Sequence, residues 1–247
     1  MRLSDRTVLV TGGSGGIGFG IAEAFHSAGS TVIICGRDEG RLSEAREKLS
    51  GITALRCDVS NRAERERLAK EVLGEFPGID VLVNNAGIQR YIDLTRGYEE
   101  LRGGGDEIAV NLVAMVELTA LFIGHLLKRP SAAVVNVGSG LGFMPMVHTP
   151  VYSATKAAVH TYSLVLRKQL EGTNVKVVEI VPPMVDTGLN REGRDAAGLK
   201  YRGVGLAEYI PSVVEGLEND DETIFFGDGA SVMTGPRGES ERRLLDR

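Results

Sequence analysis

The sequence predicts an α/β fold: a doubly wound parallel sheet with helices on both faces. Three observations lead there. Apolar, strand-like runs alternate with amphipathic, helix-like stretches almost from end to end of the 247 residues. Several runs are near-continuous in valine and isoleucine, as strands covered on both faces must be. The first run passes straight into the glycine-rich turn TGGSGGIG, which opens a helix. No linker divides the chain and no internal period recurs, so a single domain over residues 1–247 is expected.

The elements follow in order. The run TVLVTG ends at Gly12 and leads into a helix over Ile17–Ala28. TVIICG is the second strand, followed by a helix over Glu39–Leu49. ITALRCDV and the stretch Arg62–Phe76 repeat the pair, as do DVLVNNAG and Asp106–Lys128. AAVVNVGS and Ser153–Glu171 form the next pair, and VKVVEIVPP and ETIFFG complete about seven strands. The helices over 106–128 and 153–171 are apolar on more than one face, as buried or interface helices are. Arg96–Gly105 closes on Gly103, Gly104 and Gly105, a flexible approach to the long helix. Residues 187–205 are polar with five glycines, which suits either a mobile flap or a plain surface loop. The tail, residues 228–247, is rich in glycine, serine and charge, and partial disorder is expected there.

Composition excludes several classes. Hydrophobic content of 43% and charged content of 25% are those of a soluble globular protein. No apolar run of 18 or more residues is expected and the N-terminus lacks a cleavage pattern, so the expected location is cytoplasmic, away from membranes. Cys35 and Cys57 sit in apolar strand-like segments and read as small buried residues of a reducing compartment. The four histidines have no metal-ligand spacing, so no metal is expected. A net charge of −5 without a basic cluster argues against nucleic acid.

Chemistry first shows in the run YSATK. Tyr152 and Lys156 stand four apart on a predicted helix, on one face, with Cβ atoms about 5–6 Å apart. An ammonium beside a phenol stabilises the phenolate. Moving a tyrosine to neutrality takes about three pKa units, roughly 4 kcal/mol, which a lysine and a cationic cofactor together supply. Alone, the pair is equally two ordinary helical neighbours.

The ordered set of motifs decides between these readings. Backbone amides of the glycine turn at a helix N-terminus bind phosphate, and its spacing is Gly12-x-x-x-Gly16-x-Gly18. NNAG (Asn84–Gly87) ends the fourth strand, Asn111 lies in the long helix, Ser139 ends the fifth strand, YSATK follows, and Thr187 closes VPPMVDT. This order resembles the short-chain dehydrogenase/reductase family over nearly the whole chain. The strings NNAGIQR, PVYSATKAA and VEIVPPMVDT look most like its DltE-type oxidoreductase branch. Pro183 stands where most relatives have glycine, and reads as a feature of that branch.

The resemblance implies a Rossmann-type fold and an NAD(P)H-dependent oxidoreductase acting on a carbonyl or secondary alcohol. It implies a tetrad of Asn111, Ser139, Tyr152 and Lys156. Tyr152 exchanges the proton, Ser139 bonds the reacting oxygen, Lys156 lowers the phenol pKa and holds the ribose, and Asn111 anchors a relay water. Ser139 as a strand-end cap and Asn111 as a residue satisfying a helix kink stay open. The cofactor residues implied are Gly12, Ser14, Gly16, Ile17, Gly18, Arg37, Asp58, Val59, Asn85, Ala86, Gly87, Tyr152, Lys156, Pro182 and Thr187, with Asn84 also placed at the cleft. Cys35-Gly36-Arg37 lacks the carboxylate of NAD-preferring relatives, and Arg37 suits a 2′-phosphate, so NADP is expected over NAD; a merely solvated Arg37 is the alternative. Asp58 is either an adenine contact or a helix-cap partner.

The substrate pocket is expected from Gln89, Arg90, Leu141, Phe143, Met144, Met146, Met184 and Leu189, hence for a fairly hydrophobic carbonyl with a polar head near Gln89 or Arg90. Met144 and Met146 facing a core or a neighbouring subunit is the other reading, and His148 is expected at the surface. Leu118, Phe122, Leu126, Leu164 and Leu166 suit a homodimer or homotetramer, unless they are core. The competing function is a dinucleotide-binding regulator that keeps the fold without turnover.

Overall fold

The computed structural model describes residues 1–102, 106–196, 198 and 203–227. Its strands are β1 (Thr7–Thr11), β2 (Thr31–Gly36), β3 (Thr53–Arg56), β4 (Val81–Asn84), β5 (Ala132–Val137), β6 (Val175–Val181) and β7 (Thr223–Phe225). The helices are α1 (Gly16–Ser27), α2 (Glu39–Lys48), α3 (Arg62–Glu75), α4 (Glu99–Arg102), α5 (Ala114–Leu126), α6 (Pro150–Gln169), α7 (Arg191–Ala196) and α8 (Leu206–Glu218). The sheet is parallel throughout, in the order β3-β2-β1-β4-β5-β6-β7. The order reverses between β1 and β4, and that switch point opens a crevice beyond the strands' carboxyl ends.

Strand periodicity divides the interior in two. Val8 and Val10 face a core with Ile21, Phe25, Leu42, Val213 and Leu217, which come from α1, α2 and α8. Leu9 faces the other way, to a core with Leu68, Val72, Leu118, Phe122 and Leu166, which come from α3, α5 and α6. Alternate residues of a strand point to opposite faces, so a sheet buried on both sides needs a continuous apolar run. The same placement corrects the interface reading: Leu118, Phe122, Leu126 and Leu166 are core, and only Leu164 of that set is exposed.

Local chemistry explains the helix boundaries. The Asp38 carboxylate accepts from Arg41 N at 3.0 Å and caps α2, and Asn61 caps α3 by accepting from Glu64 N at 3.2 Å. Helix α6 starts at Pro150, ahead of the expected Ser153, because proline fits a helix's first turn. The expected long helix contains a π-helical turn, Ala109–Val113, running without a break into α5. Ala109–Leu126 has a mean hydropathy of 1.7 and meets the length and composition of a membrane span, which the sequence reading did not anticipate. Here it is a core helix: Leu118, Phe122 and Leu126 are buried, and Glu117 accepts from Arg65 Nε of α3 at 3.0 Å.

Helix α8 was not among the expected helices. Pro211 lies inside it and reads as a break. Burial of Tyr209, Val213 and Leu217 holds the helix across that proline. Close approach to α1 depends on Gly20, where an added Cβ would stand 2.6 Å from Ile210.

The described parts of the 187–205 segment are tied down. Asp186 N donates to Val204 O at 2.7 Å and Val204 N to Met184 O at 2.9 Å, pinning both ends, and α7 forms between them. The expected flexible approach at 103–105, the flap residues 197 and 199–202, and the expected disordered tail at 228–247 lie outside the described residues.

Candidate active site

A cleft of about 1050 Å³ opens at the switch point and gathers most of the predicted site residues. Its floor is the glycine turn. Gly12 and Gly16 adopt φ of +64° and +56°, a left-handed conformation that a side chain strains. A Cβ on Gly18 would fall 2.3 Å from Asn85 Nδ2, so only glycine lets α1 start this close to NNAG. Asn85 Nδ2 in turn donates to Thr11 O at 2.9 Å and Gly12 O at 3.2 Å, and its backbone N donates to Thr11 Oγ1 at 2.9 Å. Gly12, Ser14, Gly16, Ile17, Asn85, Ala86, Gly87, Pro182 and Thr187 line the cleft, and Gly18 lies beneath it. Asn84 does not reach the cleft. It is buried, donating to Asn136 Oδ1 at 3.0 Å and Thr119 Oγ1 at 3.2 Å, because strand alternation turns it into the sheet's polar ladder.

Ser139, Tyr152 and Lys156 line the same cleft. Lys156 Nζ stands 5.6 Å from the Tyr152 ring centroid and donates to Val137 O at 2.7 Å. Burial pushes the Tyr152 phenol up to about 12, the Ser139 hydrogen bond pulls against this, and the nearby Glu107 carboxyl adds to the rise. Burial is the largest influence on this phenol. Burial lowers Lys156 to about 8, opposed by the Glu179 carboxylate. Trace acetylation read by mass spectrometry should accordingly find Lys156 half-maximally reactive near pH 8. A midpoint above 10, where ordinary lysines titrate, would contradict the burial argument.

Ser139 and Asn111 both make the structural contacts that their capping and kink readings expect. Ser139 Oγ accepts from Leu141 N at 3.1 Å, capping a 3₁₀ turn at Gly140–Gly142, while the hydroxyl stays beside Tyr152. Asn111 sits in the π turn. Its side chain accepts from Ile88 N at 2.8 Å and donates to Ile88 O at 2.9 Å and Thr155 Oγ1 at 3.2 Å. It thus braces the strand-end loop against α6. A second cavity of about 10 Å³, the size of one water, is lined by Asn84, Asn111 and Lys156.

Beyond the carboxyl ends of β2 and β3, Arg37, Asp58 and Val59 line the cleft, joined by Arg41, which sequence reasoning missed. Asp38, next to Arg37, spends its carboxylate on the α2 cap. The helix-cap reading of Asp58 is corrected, because Asn61 caps α3; Asp58 lines the cleft, and its Oδ1 accepts from Ser60 N at 2.9 Å and Ser60 Oγ at 2.8 Å in a local turn. Burial raises its proton affinity, yet the Ser60 bonds and the Arg37 charge leave the carboxyl below its ordinary value.

At the other end, Gln89, Arg90, Leu141, Met144, Met146, Met184 and Leu189 line the cleft, so the methionines face it. Phe143 does not; its ring packs 4.4 Å from that of His160. His148 is exposed, as expected. Arg90 turns its guanidinium to backbone carbonyls, donating to Glu100 O at 2.7 Å and Leu101 O at 3.3 Å. Tyr91 and Arg194 also line this end and carry no motif signal that would have found them.

Comparison with known proteins agrees with this geometry. The profile described as short chain dehydrogenase matches residues 6–198, and the chain belongs to that family of oxidoreductases. Within it, the chain is 51% identical to the uncharacterized oxidoreductase DltE of Bacillus subtilis (strain 168), over 91% of this chain and 89% of that protein. Among solved structures, the closed form of a serine dehydrogenase complexed with NADP+ is 31% identical, with a TM-score of 0.74, covering 84% of this chain and 87% of that one. A short chain dehydrogenase/reductase from Burkholderia phymatum, in complex with NAD, superposes with a TM-score of 0.86 at 22% identity, covering 100% and 97%. Both the family and the DltE-type branch read from the sequence are borne out, and the fold is the Rossmann-type sheet expected.

Proposed function

We propose that this oxidoreductase uses NADP(H) to interconvert a carbonyl and a secondary alcohol, with Tyr152 as general acid and base. The observation that carries the reading is that Ser139, Tyr152 and Lys156 line the same cleft as the glycine turn. A dinucleotide fits that turn: Gly12 and Gly16 hold left-handed backbone, and nothing lies within 4 Å of where a Cβ on Gly15 would stand. When bound, the nicotinamide supplies or accepts the hydride. The chain's own groups handle the proton and the charge. A phenol near 12 is fully protonated at neutral pH, which is the form that donates to the oxygen of a reduced carbonyl. Ser139 supports the same oxygen, and Lys156 is placed for the ribose and for proton return through the small cavity beside Asn111. The exposed apolar side chains of Leu121 on α5 and Leu164 and Val165 on α6 support a homodimer or homotetramer.

The preference for NADP rests on Arg37 and Arg41 at the adenosine end, with the Asp38 carboxylate already engaged as a cap. The serine dehydrogenase relative in complex with NADP+ points the same way. NADPH consumption against a panel of aliphatic, aromatic and sugar-derived carbonyls tests the activity. Arg37→Asp should lower the NADPH/NADH ratio of kcat/KM by roughly 10–100-fold, the value of a charge-assisted bond. An unchanged ratio would remove Arg37 from the assignment.

A further inference from the structure

The cleft contains a buried cation that the proposed chemistry does not use. Arg194, on α7, is 6% exposed and lines the cleft. Its one hydrogen bond runs from Nη2 to Thr187 O at 3.2 Å, and among the described residues no carboxylate lies within ion-pair distance. Arg191, one turn earlier on the same helix, shows the contrast: its guanidinium meets Asp186 at 3.1 Å. A guanidinium has five N–H donors, and burying it with most of them unmatched costs free energy that a bound anion recovers.

The charges around the cleft point the same way. The chain has a net charge of −5, yet Arg37, Arg41, Arg90, Lys156 and Arg194 line the cleft, against only Asp38 and Asp58. Both acids stand at the adenosine end. Towards the substrate end the other two cations are committed, Arg90 to the carbonyls of Glu100 and Leu101 and Lys156 to that of Val137. Arg194 lines the same cleft as Gln89, Tyr91, Met144 and Met184, with most of its donors unmatched. Its field is felt at the Tyr91 phenol, where burial raises the proton affinity and the Arg194 charge opposes the rise.

We propose that Arg194 is the anion-recognising residue of the substrate pocket, and that the substrate is an oxo acid or hydroxy acid whose carboxylate it holds. The planar fork matches a carboxylate through two parallel hydrogen bonds, while the methionines cover the carbon chain between carboxylate and carbonyl. In the reducing direction hydride forms the new C–H bond, the C=O π pair becomes an O–H bond with the proton from Tyr152, and NADPH leaves as NADP+. This rests on the oxidoreductase reading above.

The test compares 4-oxopentanoate and 5-oxohexanoate with 2-pentanone and 2-hexanone under NADPH, in wild type and Arg194→Gln. Succinate binding to the NADP+-loaded protein by calorimetry, and the Kd for NADP+, complete it. The proposal expects the acid-to-ketone ratio of kcat/KM to exceed about 10 in wild type and to fall about 10–100-fold in the variant. It also expects succinate binding in wild type and its loss in the variant. Arg194→Lys, which keeps the charge but not the fork, should restore only part of the ratio. An unchanged ratio, or a loss confined to NADP+ affinity because Arg194 holds the cofactor diphosphate, overturns it. If no carbonyl is reduced, the oxidoreductase reading fails, and succinate binding still decides the anion site.

Discussion

Tyr152→Phe is expected to lower kcat for NADPH-driven carbonyl reduction by about 10²–10⁴-fold, the usual contribution of a positioned general acid. Cofactor affinity should stay within about threefold, because the change removes one hydroxyl and leaves the ring in place. The ring is 6% exposed and packed beneath the cleft, so phenylalanine occupies the same space. The lost group is the proposed proton source beside Ser139; the nearby Glu107 carboxylate accepts from the Arg90 backbone N at 3.0 Å instead. Turnover at near wild-type rates would mean that another group, or water, donates the proton.

The second large effect concerns the turn. In Gly18→Ala the new methyl would lie 2.3 Å from Asn85 Nδ2 and 2.5 Å from Gly12 O. Asn85 must then release Thr11 O and Gly12 O, uncoupling NNAG from the phosphate-binding amides. Overpacking of this kind costs about 1–3 kcal/mol, to be read by denaturant unfolding. The NADPH Kd should rise by about tenfold or more, since each 1.4 kcal/mol is one decade. Gly15→Ala is the control for stability: nothing lies within 4 Å of its added Cβ and its backbone is extended. Equal stability of the two variants would show that the turn tolerates a methyl it has no room for.

The parts of this fold legible in the sequence are those written in local pattern. Unbroken Val/Ile runs mark strands buried on two faces, and Gly12, Gly16 and Gly18 mark backbone that side chains would obstruct. What stayed hidden depends on tertiary packing. Pro211 reads as a helix stop, and only burial of Tyr209, Val213 and Leu217 carries α8 past it. Leu118, Phe122 and Leu166 are apolar whether they face a core or a partner, so periodicity alone does not separate the two. The proton affinity of Tyr152 also escaped, since spacing reports the lysine one turn away but not the depth of burial that raises the phenol. Arg41 and Arg194 reach the cleft from helices whose placement no motif encodes.

The central claim is that this cleft transfers hydride to a carbonyl while Tyr152 supplies the proton. Its most direct test is single turnover with NADPH deuterated at the transferable C4 position, with the carbonyl product read by mass spectrometry in wild type and Tyr152→Phe. The account predicts one deuterium on the carbinol carbon in wild type, and almost none formed on the same timescale by the variant with equal cofactor bound. Bound NADPH that remains unoxidised with every carbonyl, in wild type and variant alike, would contradict it and leave a dinucleotide-binding protein without turnover.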